Sequence, residues 1–216
     1  GLTAPISAGS NFGHSVVAVG DLDGDSVIDL AVGAPLDDDG GGDRGAVWVL
    51  LMNADGSVKS SNKISSSQGG FSGALDNNDA FGSALAALGD LDGDGVADLA
   101  VGAIKDDDAG LNRGAVWILF LNADATVKSY QKVTEGVGGF GGDLDENDYF
   151  GYALGTLGTD SATGAASGIV VGVPKDDEGG TNRGAVYLLY LNSDGTVNLW
   201  HKIASGVGGF TGALAN

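Results

Sequence analysis

Phe-Gly returns at a fixed interval of 69 residues, as Phe12-Gly13, Phe81-Gly82 and Phe150-Gly151 (81−12 and 150−81). Self-similarity of this period means one supersecondary unit copied in series, each copy relying on its neighbours to cover its apolar faces. The approximate units are 12–80, 81–149 and 150–216, with 1–11 as an N-terminal link, so residues 1–216 read as a single repeat region.

Four strand-like runs fill the first unit, at Ser15–Val19, Leu30–Gly33, Ala46–Leu51 and Val58–Ile64. The first three are dominated by Val, Ile, Leu and aromatic residues. All four are too short for helices, and no helical stripe of convincing length occurs. Asn53-Ala54-Asp55-Gly56 has hairpin-turn chemistry, with counterparts at Asn122-Ala123-Asp124-Ala125 and Asn192-Ser193-Asp194-Gly195. Ala125 stands where glycine would ease a positive φ, so slight strain is expected there. Four antiparallel strands per repeat predict an all-β chain of three β-propeller blades. Solenoid coils have much shorter periods, and a lone sandwich would not explain the repeat. Since a ring takes four or more blades, the three units belong either to a longer array or to a pair of chains. A homodimer closing a six-bladed ring is the expectation.

Two of the units carry an aspartate ladder. Asp21, Asp23, Asp25 and Asp29 form the first and Asp90, Asp92, Asp94 and Asp98 the second, with the carbonyls of Val27 and Val96 as added oxygen donors. Oxygen ligands at alternate positions of a tight loop suit Ca²⁺; Mg²⁺ prefers rigid octahedral geometry and retained waters. Two calcium sites per chain are therefore expected, and mutual repulsion should expand or disorder each loop without metal. An EF-hand would need glutamate at position twelve, which is Val32 or Val101 here. The glycine-rich run Gly138 to Asp143 resembles a β-roll nonapeptide, but it occurs once and not in tandem. Position six is Ser26 in the first loop and Gly95 in the second, which predicts a weaker first site. In the third unit Thr159-Asp160-Ser161-Ala162-Thr163-Gly164 replaces the ladder, and no calcium is expected there.

The surroundings of these motifs resemble a known family. Phe12-Gly13, Gly20-Asp21-Leu22-Asp23-Gly24-Asp25 and Asp29-Leu30-Ala31-Val32-Gly33-Ala34-Pro35 resemble the FG-GAP repeat of the integrin α-subunit propeller and its bacterial relatives. Phe81-Gly82 through Gly102-Ala103 repeats the pattern with Ile104 in the proline position, and Phe150-Gly151 through Pro174 keeps the frame without the ligands. The resemblance implies a four-stranded blade with calcium in the loop between the first two strands.

Charge and composition narrow the partners. With 29 acidic against 10 basic residues and a net charge of −19, neither nucleic acid nor an anionic membrane surface is an expected partner. No apolar stretch approaches a membrane span, so no membrane insertion is expected. The absence of cysteine excludes disulfides and thiolate metal sites. The sequence begins at Gly1 without a signal segment, so any such segment is expected to have been removed or left out.

The acidic loops 37–43, 106–108 and 176–178 precede Arg44, Arg113 and Arg183. They read as solvated loops whose arginine pairs with a nearby carboxylate or the backbone, with a second cation or ligand surface as the rival. Asp76, Asp79, Asp145 and Asp148 suit turn caps in the inter-blade links, where Phe71, Phe140 and Phe210 would anchor the loop. Trp48, Trp117 and Tyr187 are equivalent and read as packing between blades. Tyr130 and Trp200 match in the fourth strand, with Asn62 expected there in the first unit, and suit a surface contact such as sugar stacking. His14 and His201 are isolated, and no nucleophile, metalloprotease or phosphate-binding motif occurs, so no enzyme is expected. The expected role is an extracellular or cell-surface calcium-binding scaffold for adhesion, with a protein or glycan ligand. A propeller lectin and a purely structural or engineered assembly are the alternatives.

Overall fold

A computed structural model describes residues 5–158 and 168–212. Among these residues, twelve strands occur in three sheets. The first contains β1 (Ser15–Gly20), β2 (Asp29–Ala34), β3 (Ala46–Met52) and β4 (Val58–Ile64). The second contains β5 (Phe81–Gly89), β6 (Asp98–Ala103), β7 (Ala115–Leu121) and β8 (Val127–Val133). The third contains β9 (Ala153–Thr156), β10 (Gly168–Val173), β11 (Ala185–Leu191) and β12 (Val197–Ile203). Each sheet runs in sequence order, with every neighbouring pair antiparallel. These are three propeller blades, and the expected runs differ from the observed strands of blade one by no more than a residue at either end. No helix occurs among the described residues.

The continuous apolar composition of the middle strands follows from burial on both faces. Every residue of β7 is buried, and so is every residue of β3 except Met52. One apolar cluster joins blades one and two, and another joins blades two and three.

The Phe-Gly pair forms the seam. Phe81 N–H donates to Arg44 O (3.0 Å) and Phe150 N–H to Arg113 O (2.8 Å), each beside a parallel bridge to Gly45 or Gly114. A Cβ at Gly45 would lie 2.1 Å from the Phe81 carbonyl oxygen, and φ there is +86°, so this close approach requires glycine. Phe71 stacks on Phe81 and meets Trp117 edge-on; Phe140 does the same with Phe150 and Tyr187. The proposed anchoring of the links by Phe71 and Phe140 therefore holds. Phe210, by contrast, is 40% exposed.

Two local readings need correction. Register pairs Leu50 with Ser61, Leu119 with Tyr130 and Leu189 with Trp200, so Ser61, not Asn62, is the equivalent of the two aromatics. Tyr130 and Trp200 also pack against Phe71 and Phe140. The acidic loops are the second correction. Asp37, Asp106 and Asp176 are buried, and each pairs with a lysine from its blade's fourth strand: Lys63 at 2.7 Å, Lys132 at 2.6 Å and Lys202 at 2.8 Å. The pairing follows from register, because Lys63, Lys132 and Lys202 stand directly opposite Trp48, Trp117 and Tyr187 and lie over those rings. The expected pairing of the following arginine with a nearby carboxylate occurs in blade two, between Arg113 and Glu135, whereas in blade one Arg44 donates to Asn77.

The link aspartates do cap turns. Asp79 accepts from Asp76 N–H and Asp148 from Asp145 N–H, both at 2.8 Å. Burial pushes the Asp79 carboxyl up to about 7 and Asp148 up to about 6, with Asp106 and Asp176 adding repulsion. The turn with Ala125 has the backbone anticipated for it, φ +65° against +83° at Gly56 and +78° at Gly195.

Candidate metal centre

The loop between β1 and β2 is built on Asp21. Its Oδ1 accepts from Gly24 and Asp25 N–H and its Oδ2 from Ser26 N–H, at 2.8–3.0 Å. Asp90 repeats this with Gly93, Asp94 and Gly95. A carboxylate that gathers successive amides winds the loop tightly and turns the following side chains toward one centre. Position six is left-handed in both, with φ +68° at Ser26 and +92° at Gly95, so the serine carries strain that the glycine does not.

Asp29 and Asp98 close the loops from the first position of β2 and β6. Both are fully buried. Asp29 accepts from Leu22 and Met52 N–H, and Asp98 from Leu91 and Leu121 N–H, which ties the loop to the end of the third strand. Burial pushes the Asp98 carboxyl up to about 7, a shift that a cation beside it would oppose.

Carboxylate oxygens of Asp21, Asp23 and Asp29 lie within 4.8 Å of one another, as do those of Asp90, Asp92 and Asp98. Asp23 Oδ1 is buried without a hydrogen-bond partner. Three converging hard oxygen donors, one of them unpartnered, fit a divalent cation of calcium type.

Asp25 and Asp94 stand apart from these triads. Lys59 Nζ bridges Asp23 Oδ2 (2.6 Å) and Asp25 Oδ2 (2.7 Å), and Lys128 bridges Asp92 and Asp94 in the same way. The lysine hydrogen bond holds each of Asp25 and Asp94 below the usual carboxylate range, and the lysines are shifted up in return. Val27 and Val96 use their N–H groups to cap Asp25 and Asp94. Lys59 and Lys128 escaped the sequence reading, although their spacing (128−59 = 69) matched the period and the third unit has Asn198 in that place. They place an ammonium among the carboxylates of each loop. The third unit's substitute segment lies outside the described residues.

The FG-GAP repeat family model matches residues 12–50 and 81–119, the two stretches that contain these loops. Among curated proteins, integrin alpha pat-2 of Caenorhabditis briggsae is 44% identical over 99 residues, covering 45% of this chain and 8% of that protein. Human integrin alpha-6 is 33% identical over 173 residues, covering 77% of this chain and 14% of its own length. Integrin alpha-PS2 of Drosophila melanogaster is 35% identical over 172 residues, with 70% and 12% covered. The chain thus spans a small fraction of the length of each of these relatives.

Proposed function

Because the chain is an integrin α-like FG-GAP repeat propeller, we propose that it is an extracellular, calcium-stabilised scaffold that presents a surface for adhesion or ligand binding and does no catalysis. Residues 1–216 form one region of three units, 12–80, 81–149 and 150–216. Asp21, Asp23, Asp25, Asp29 and the Val27 carbonyl hold one Ca²⁺. Asp90, Asp92, Asp94, Asp98 and the Val96 carbonyl hold the second, and the third unit holds none. The ion would neutralise the buried carboxylates and fix the loop against the end of the third strand. The observation that carries this is the convergence of three carboxylates in each loop with Asp23 Oδ1 left unpartnered.

The same proposal includes a second chain closing a six-bladed ring. Its support is the contrast between inner seams and outer faces. Val16 is 59% exposed where its equivalent Leu85 is 8% exposed, and Phe210 is exposed where Phe71 and Phe140 are buried. Beside Phe210 lies an apolar groove of about 440 Å³ lined by Tyr152, Val173, Gly184, Val186 and Ile203. It corresponds to the place where Phe81 and Phe150 seat on the preceding blade. Native mass spectrometry in calcium tests both parts, with a dimer carrying two calcium ions per chain as the expected species. Metal-free chains would overturn the calcium assignment, and a folded monomer would overturn the ring.

A further inference from the structure

We propose that Lys59 and Lys128 are the resident cations of the two aspartate loops: they hold the ladders closed without metal and are displaced when calcium binds. The inference rests on the calcium assignment above and concerns what the loops do in its absence. Each lysine occupies the second position of its blade's fourth strand, beside the turn that follows the third strand. In an antiparallel blade this turn lies at the same end as the loop between the first two strands, so the side chain needs only to extend to reach the ladder. Both lysines arrive in the same way, each bridging the second and third carboxylates.

Geometry makes the lysine and the metal competitors. Asp23 offers Oδ2 to Lys59 while its Oδ1 is buried and unpartnered; Asp25 offers Oδ2 to Lys59 and Oδ1 to Val27 N–H. For all four carboxylates to ligate one ion, the ammonium must leave Asp25 and Asp94. Two like charges so close to one set of oxygens would also repel. Half-exposed lysines can withdraw into solvent at little cost. Blade three supplies the counter-example within the same chain, since Asn198 stands in the lysine position of the unit whose ladder residues are replaced.

The exchange predicts opposite effects on the two states. Lys59→Met and Lys128→Met should each tighten calcium at their own loop roughly tenfold, read by calorimetric titration. Each should also lower the melting temperature in chelator by about 2–4 °C. Lys59→Arg and Lys128→Arg, which keep the charge, should restore wild-type behaviour in both assays. Unchanged or weaker calcium binding in the methionine variants would overturn the displacement, and an unchanged melting temperature in chelator would overturn the metal-free role. If wild type and variants alike take up no calcium, the calcium assignment itself falls and displacement with it. The metal-free role is decided by the chelator melts even then.

Discussion

Blade two carries four aspartates between its first and second strands and Lys128 on its fourth; blade three has Asn198 in the lysine's place and a different segment in the ladder's. Both nonetheless form complete four-stranded sheets, bury an aspartate beneath a lysine and an aromatic ring, and seat a phenylalanine against the blade before. The ladder therefore does not define the blade. What all three blades share is the buried pair at the opposite end, Asp37–Lys63, Asp106–Lys132 and Asp176–Lys202. Blade three even completes that end more fully, because the Tyr187 hydroxyl donates to the Asp143 carbonyl whereas the Trp48 and Trp117 indole N–H groups are buried without a partner.

The sharpest way to break this comparison is to remove a cation from each end of blade two. Lys132→Met strands the buried Asp106 and should destabilise the chain by about 3–5 kcal/mol in urea denaturation. Lys128→Met, at an exposed bridge, should cost far less. Removing calcium comes next. Chelator should cost about 2–3 kcal/mol per occupied site at hundredfold saturation. The Asp90→Ala, Asp92→Ala double variant should lose only the second site's share, and a melt insensitive to chelator would contradict both.

A smaller effect concerns Asp79, which lies near Asp106, Asp76 and Lys132. Its folded value of about 7 stands above the ordinary 3.8. Its stabilising contribution is thus complete below pH 4 and is lost as pH rises toward 7. Asp79→Asn keeps an acceptor for Asp76 N–H without the charge. It should stabilise the chain at pH 8 by about 1–2 kcal/mol and flatten the decline between pH 4 and 7, as followed by thermal melts. The smallest change sharpens the contrast between the two loops. Ser26→Gly removes left-handed strain and should add about 0.5–1 kcal/mol, with tighter calcium binding at the first loop by titration.

The repeat and its strands were legible because their causes are local. Short β-branched runs, hairpin turns and ladder spacing each depend on a few consecutive residues, so β1 to β4 fall within a residue of expectation. Asp21 and Asp29 were recognisable for the same reason. Contacts set by register were not legible. Lys59 reaches Asp23 across 36 residues and Lys63 reaches Asp37 across 26. Their meeting depends on which end of the blade each strand presents, a property of the sheet rather than of any segment. A run such as Asp37-Asp38-Asp39 looks uniformly solvated in sequence, yet its first residue is buried and its second is not. The period held a clue, because lysines that recur at one phase of every unit are unlike surface charges placed at random.

Both described seams use the same small set of parts: a glycine that lets the backbones touch, a phenylalanine that follows, and a main-chain hydrogen bond between them. The first seam adds side-chain bonds of its own, the Ser15 hydroxyl donating to the Gly82 carbonyl and the Asn62 amide to the Ala125 carbonyl, but the main-chain parts are common to both. A stretch of DNA encoding one 69-residue period can be copied or lost in frame, and each remaining junction still meets the partner it was shaped for. Blade number in such a chain can change in a single recombination event, with the main-chain junction preserved.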